Sequence, residues 1–192
     1  MQKKEKLTAL NKNMVRDCTC ALREDAQQAV LGDGNANADI LFIGEAPGKK
    51  EDLLGTPFVG ASGKFLSEML ASIQLDRKDI YITNIVKYRP PNNRDPLPSE
   101  IEACKEWLHE EIKIIQPKII VTLGRHAMMH FAPEKKISSA HGTILQKTFP
   151  DIGTQTFYFL YHPAAALYNG SMRDTLIKDF KKIPKILKKI KD

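Results

Sequence analysis

The residues best suited to chemistry fall in three short segments and one set of sulfurs. The first segment, Gly44 to Gly60, reads GEAPGKKEDLLGTPFVG. It holds four glycines and two prolines in seventeen residues and carries Glu45, Lys49, Lys50, Glu51, Asp52 and Phe58. Glycines let backbone amides approach a ligand closely, and prolines hold such a loop in one shape. The second segment, Asn84 to Pro98, has Pro90, Pro91, Pro96 and Pro98 interleaved with Asn92, Asn93 and Arg94. The third begins at His162-Pro163 and runs to Arg173. The sulfurs are Cys18, Cys20 and Cys104, an odd set that offers no disulfide framework and suits a reducing compartment.

Each segment needs an element to aim it. Ala38 to Ile43 has the apolar, β-branched character of a buried strand, and Asp79 to Thr83 and Lys118 to Leu123 read the same way. Thr143 to Phe149 and Thr156 to Tyr161 are two further strand candidates. Helical spacing marks residues 3–15, a stretch from Ala21 to Leu31, and Ala61 to Ile73, where Phe65, Leu66, Met69, Leu70 and Ile73 share a face. Ser99 and Glu102 read as a capping box opening a helix that Pro117 stops after Ile115. Gly124-Arg125-His126 turns into a short helix, residues 133–142 read as loop, and a last helix from Met172 restarts at Pro184. Strands alternating with helices indicate a three-layer α/β fold with a mostly parallel sheet. All three chemical segments follow strands, so they should meet at one edge of that sheet, where open α/β sheets bind ligands.

The totals narrow the classes. A chain of 192 residues suits one domain, covering residues 1–192. No stretch approaches the ~18 apolar residues of a membrane span, and the N-terminus lacks a signal-peptide core, so the expected location is the cytoplasm and no membrane partner is expected. The net charge of +6 is local: residues 178–192 hold seven lysines against two aspartates, and the remainder balances to +1. That Lys-rich C-terminal helical tail offers sequence-independent attraction to phosphates or a solvated face.

Four pieces together resemble the uracil-DNA glycosylases, in particular the family-4 branch: GEAPGKKEDLLGTPFVGASGKFL at 44–66, YITNIVKYRPPNNRDPLPSEIEAC at 81–104, VTLGRHA at 121–127 and YHPAAAL at 161–167. The resemblance implies an α/β/α domain with a central, mostly parallel four-stranded sheet. It also implies hydrolysis of the bond between uracil and deoxyribose in single- or double-stranded DNA by a monomer that passes its abasic product to downstream repair enzymes. Phe58 would stack on the flipped base, and the amide of Asn84 would read uracil against cytosine. His162 would donate to O2 as charge builds there, and Glu45 would orient the water or fix the pocket. Gly44, Ala46 and Gly48 would shape the base site: Ala46 stands where some relatives carry an aspartate, and Gly48 where others carry a tyrosine that excludes thymine. Ala164 to Tyr168 would enter the duplex with Leu167 as the wedge, while Arg173, Asn93 and Arg94 would contact DNA. No lysine occupies a nucleophile position, so strand cleavage is not expected.

Family 4 carries a four-iron, four-sulfur cluster on four cysteines. Here its first pair is compressed to Cys18-Thr19-Cys20, Tyr88 stands in the third place and Cys104 in the fourth. Ligation of such clusters favours thiolates, so the expectation is a fold without a required cofactor, the cysteines buried and Tyr88 packed among them. Other readings stay open: a sister glycosylase for hypoxanthine, xanthine or mismatched thymine, or a DNA-binding protein without turnover. A relative that traps DNA through a histidine between Tyr88 and Pro98 has no counterpart here. A nucleotide-binding protein would need a phosphate-loop signature, which is missing.

Overall fold

A computed structural model describes residues 2–191 of the chain. The apolar runs form strands β1 (Asp33–Gly34), β2 (Ile40–Gly44), β3 (Tyr81–Asn84), β4 (Ile119–Leu123), β5 (Ile144–Phe149) and β6 (Gly153–Leu160). They make one sheet in the order β1-β3-β2-β4-β6-β5. The sheet therefore has six strands where four were expected. The inner four, β3-β2-β4-β6, are parallel, and each edge carries one antiparallel strand. The extra strands have local causes. A tight turn at 150–152 folds β6 back on β5, and β1 is two residues of backbone held against Tyr81 and Ile82 with no apolar pattern to announce it.

The helices are α1 (Lys3–Asp17), α2 (Lys49–Leu54), α3 (Ala61–Ala71), α4 (Pro98–Ile115), α5 (Arg125–Phe131), α6 (Ile137–Ala140), α7 (Ala165–Tyr168), α8 (Gly170–Phe180) and α9 (Ile183–Lys191). Successive strand residues face opposite layers. Ile40, Phe42, Ile119, Val121 and Tyr158 pack with α3, α8 and α9, whereas Leu41, Ile43, Ile120, Phe157 and Phe159 pack with α1, α4 and α5. Both faces are covered, as a parallel sheet requires. The lysine-rich end is docked rather than trailing, since Ile183 and Ile186 of α9 are buried. Among the described residues no helix is long and apolar enough to cross a membrane.

Two local readings need correction. Ala21 to Leu31 is not a helix beyond one 3-10 turn at Ala21–Arg23. The amides of Gln27 and Val30 donate instead to Asp52 Oδ1 at 3.0 Å and to the Lys87 carbonyl at 2.7 Å, so the donors a helix needs are taken. Helix α4 is capped two residues earlier than expected: Leu97 caps it, Pro98 sits at its first position, and Glu100 accepts the Leu97 amide at 2.7 Å. The expected loop at 133–142 also contains the single turn α6.

Connections decide where a ligand can enter. The chain leaves β2 toward the α3 face, and leaves β3 and β4 toward the α4 and α5 face. Adjacent strands whose exits diverge leave a crevice at their carboxyl ends, so β2 is flanked by a switch point on each side.

Candidate active site

A cavity of about 530 Å³ opens at that crevice. Its wall is drawn from the loops after β2, β3, β4 and β6, the convergence expected of the three segments. The structure brings Glu45, Ala46, Gly48, Phe58, Asn84, Asn93, Arg94, His162 and Ala164 together around it. Gly44 stands just behind the wall. A Cβ there would lie 2.4 Å from Asn84 Oδ1 and 2.5 Å from the Phe58 ring, so only glycine lets the two side chains close over the strand end.

Asn84 ends β3, paired in register with Gly44. Its side chain is buried, and Oδ1 has no hydrogen-bond partner in the protein. A buried acceptor left unpaired costs about 1–3 kcal/mol, so its survival beside a cavity points to a ligand donor. Its backbone is fixed from behind. Lys87 Nζ donates to the Asn84 carbonyl at 3.1 Å, to Thr83 Oγ1 at 2.6 Å and to Glu111 Oε2 at 2.6 Å, in a fully buried ion pair.

Phe58 is held in a backbone conformation that side chains avoid, with φ of +54°. Arg77 locks it, donating to the Phe58 carbonyl at 2.8 Å and the Pro57 carbonyl at 2.7 Å. Gly63 makes room, since a Cβ there would lie 1.7 Å from the Phe58 carbonyl oxygen. Glu51 secures the next two amides, accepting Val59 N–H at 2.9 Å and Gly60 N–H at 2.7 Å at the start of α3. Such strain persists only where its surroundings over-determine it, and it clusters at functional sites.

The Phe58 ring stacks on the His162 imidazole, centroids 5.7 Å apart. His162 Nδ1 accepts the Ala164 amide at 3.1 Å, which leaves the proton on Nε2. Burial pushes its pKa down to about 4. At neutral pH the ring is therefore an uncharged donor. Glu45, just after β2, is pushed above the ordinary carboxylate range by burial; His126 and Arg125 pull it down, and Asp95 pushes it up.

Other expected residues stand outside the wall. Leu167, on α7, is exposed beside Tyr168, whose exposure of 90% makes it the more protruding of the two. Tyr168 also lines the cavity. Arg173 pairs with Glu68 at 2.6 Å and lies over the Phe65 ring at 4.3 Å, away from the cavity wall. Arg94 lines the cavity but is committed to Glu100, at 2.6 and 2.9 Å. Sequence reading assigned no role to Arg77, Glu51, Lys87, Asp95 or His126. Only the glycine-proline context flagged the loops that hold three of them.

The three thiols lie in the core with Tyr88. Cys18 Sγ donates to the Ala103 carbonyl at 3.8 Å and Cys20 Sγ to the Glu100 carbonyl at 3.7 Å, so two of the thiols are turned to backbone oxygens beside Cys104. The Tyr88 hydroxyl is buried without a partner, and burial, followed by the Cys18 thiol, pushes its pKa up, so it is a neutral phenol. Three mutually packed thiols and a phenol do not fit the four-thiolate set that such a cluster takes.

Over residues 31–191 the chain matches the family described as the Uracil DNA glycosylase superfamily. It is 47% identical over 169 residues to the Type-4 uracil-DNA glycosylase of Archaeoglobus fulgidus, covering 85% of this chain and 84% of that one. Its similarity to the Type-4 uracil-DNA glycosylase of Thermotoga maritima is 38% identity over 192 residues, covering 98% and 99%. Against that of Saccharolobus solfataricus it is 45% over 179 residues, covering 90% and 83%.

Proposed function

The chain belongs to the uracil DNA glycosylase superfamily, and from that premise we propose that it flips uracil out of DNA and hydrolyses its N-glycosidic bond, leaving an abasic site. One observation carries the choice of base, the unpartnered buried Oδ1 of Asn84 at the cavity wall. Uracil N3–H satisfies that acceptor while the amide nitrogen donates to O4. Cytosine offers the opposite pattern and would leave both groups unpaired. The strained Phe58 gives the base a stacking face, a contact worth roughly 1–3 kcal/mol.

Water attacks C1′ as the bond to N1 breaks, and the electron pair moves into the uracil ring toward O2. The neutral His162 Nε2–H meets that growing charge and stabilises the transition state more than the bound base. The Glu45 carboxylate orients the water and faces the cationic sugar, and the water's second proton leaves to solvent. With no lysine nucleophile the strand stays intact, so other enzymes must process the abasic product. We read the chain as one domain, working in the cytoplasm as a monomer on single- or double-stranded DNA and without an iron–sulfur cluster. The misfit of Tyr88 to cluster ligation supports this last point. A second reading rests on Gly48, where a Cβ would meet only the Glu51 carboxylate at 2.8 Å. The wall is thin there, which favours wider use of bases such as hypoxanthine, xanthine or mismatched thymine.

The test is cleavage of oligonucleotides carrying one deoxyuridine, cytosine, thymine or hypoxanthine, each followed by alkali. Cleavage at uracil alone, lost in Asn84→Ala, is the expected result. Cleavage by the folded protein at none of these bases would overturn the enzyme reading in favour of DNA binding without turnover.

A further inference from the structure

The wall around Glu45 contains a second ionisable group that the reaction just described leaves unused. His126 lies in the first turn of α5, and Asp95 in the segment before α4. With Glu45 they bring three ligand atoms within 4.8 Å of one another, from three different connections. His126 Nε2 is 3.1 Å from Asp95 Oδ2 and 4.0 Å from Glu45 Oε2. Arg125 joins them: its Nη2 donates to Asp95 Oδ2 at 2.7 Å, and its Nε faces His126 Nε2 at 2.9 Å.

We propose that His126, set against the opposing charge of Asp95, is a positioning residue that keeps Glu45 ionised and aimed at the attacking water, an inference that rests on the uracil-excising reading of the site. A single ring nitrogen has two competing uses. Unprotonated, Nε2 accepts from Arg125 Nε, and the four groups carry two negative charges against one positive. Protonated, Nε2–H turns to Asp95 and sets a positive charge 4.0 Å from Glu45, so the charges balance. Glu45 needs that help because burial favours its neutral acid and Asp95 pushes the same way. The distance is too long for a direct hydrogen bond but short enough for a strong charge effect. The same spacing would suit a metal ion. However, Arg125 already places a cation on two of the three ligands, so a chelator should leave the protein unchanged. Glu51, Arg94 and His162 line the same cavity and are left intact in every variant below.

The experiment is a carbon-13 titration of the Glu45 carboxyl, assigned with Glu45→Gln, in the full chain and in His126→Gln and Asp95→Asn. Removing the neighbour that lowers the pKa should move the midpoint up, and removing the one that raises it should move the midpoint down. The working form of Glu45 is the carboxylate, so activity falls as pH drops through that midpoint. The acid limb of kcat on a deoxyuridine oligonucleotide should therefore move up in His126→Gln and down in Asp95→Asn, with KM little changed. Unmoved midpoints, or shifts in one direction for both variants, overturn the proposal, because a merely structural role predicts no opposite signs. Should His126→Gln fail to fold, His126→Asn removes the same ring nitrogen and must also move the midpoint up, while Asp95→Asn, at a side chain 57% exposed, reads the opposing charge alone. Titration needs no turnover. Opposite shifts in a protein that releases no uracil would support the coupling and overturn only the reaction, whereas uracil release with unmoved midpoints would overturn only the coupling.

Discussion

Two buried polar atoms, four residues apart in sequence, have opposite surroundings. Asn84 Oδ1 and the Tyr88 hydroxyl both lack a partner. Asn84 borders a cavity of about 530 Å³, in a wall held rigid by Arg77, Glu51 and two close-packed glycines. Tyr88 sits among three thiols in the packed core. An unpaired group beside a shaped cavity is waiting for a ligand, whereas one in a packed core is simply a cost. Position decides which of the two an orphan is, and sequence distance does not.

Lys87 lies between the two regions and is the place where the contrast breaks most easily. Its ammonium supports the Asn84 carbonyl and neutralises Glu111, while its own carbonyl accepts the Val30 amide at 2.7 Å on the side of the thiol-lined core. Lys87→Met should cost about 3–5 kcal/mol, because it leaves Glu111 buried and uncompensated. Urea denaturation would measure this loss. Adding Glu111→Leu should restore most of the stability but not full activity, since the support behind Asn84 stays absent. If the pair recovers both, Lys87 serves the core alone, and the cavity does not depend on it.

Phe58 offers a smaller effect confined to one side of the comparison. Phe58→Ala should lower kcat/KM for a deoxyuridine oligonucleotide by the stacking contribution, about 1–3 kcal/mol or roughly 5- to 150-fold. An unchanged kcat/KM in folded protein would reduce the strained φ of +54° to a packing accident.

Legibility in the sequence divides along similar lines. The cavity loops were readable because glycine and proline mark special backbone, and the inner strands because their apolar runs suit burial on both faces. Strand β1 was not readable, since two residues held by backbone pairing leave no side-chain pattern. The Ala21 to Leu31 helix was misread because its amides are spent on Asp52 and Lys87, partners distant in sequence. Arg77 and His126 escaped for the same reason: each acts through a residue that only folding brings near. The overall fold, the cavity loops and the convergence of the three segments were legible; the residues that brace the loops from behind were not.

The smallest predicted effect is also the cleanest test of the contrast. Tyr88→Phe removes the orphan hydroxyl and keeps the ring that fills the space among Cys18, Cys20 and Cys104. Deleting an unsatisfied buried group without changing the packing should stabilise the protein by about 1 kcal/mol, with no change in uracil release. A thermal melt read together with the activity assay checks both parts. Asn84→Leu, the matching change at the other orphan, also removes an unpaired acceptor and should cost the fold little, yet it should abolish uracil release. A loss of activity in Tyr88→Phe would mean that the hydroxyl acts on the cavity through the Lys87 segment, and the two regions would then be one.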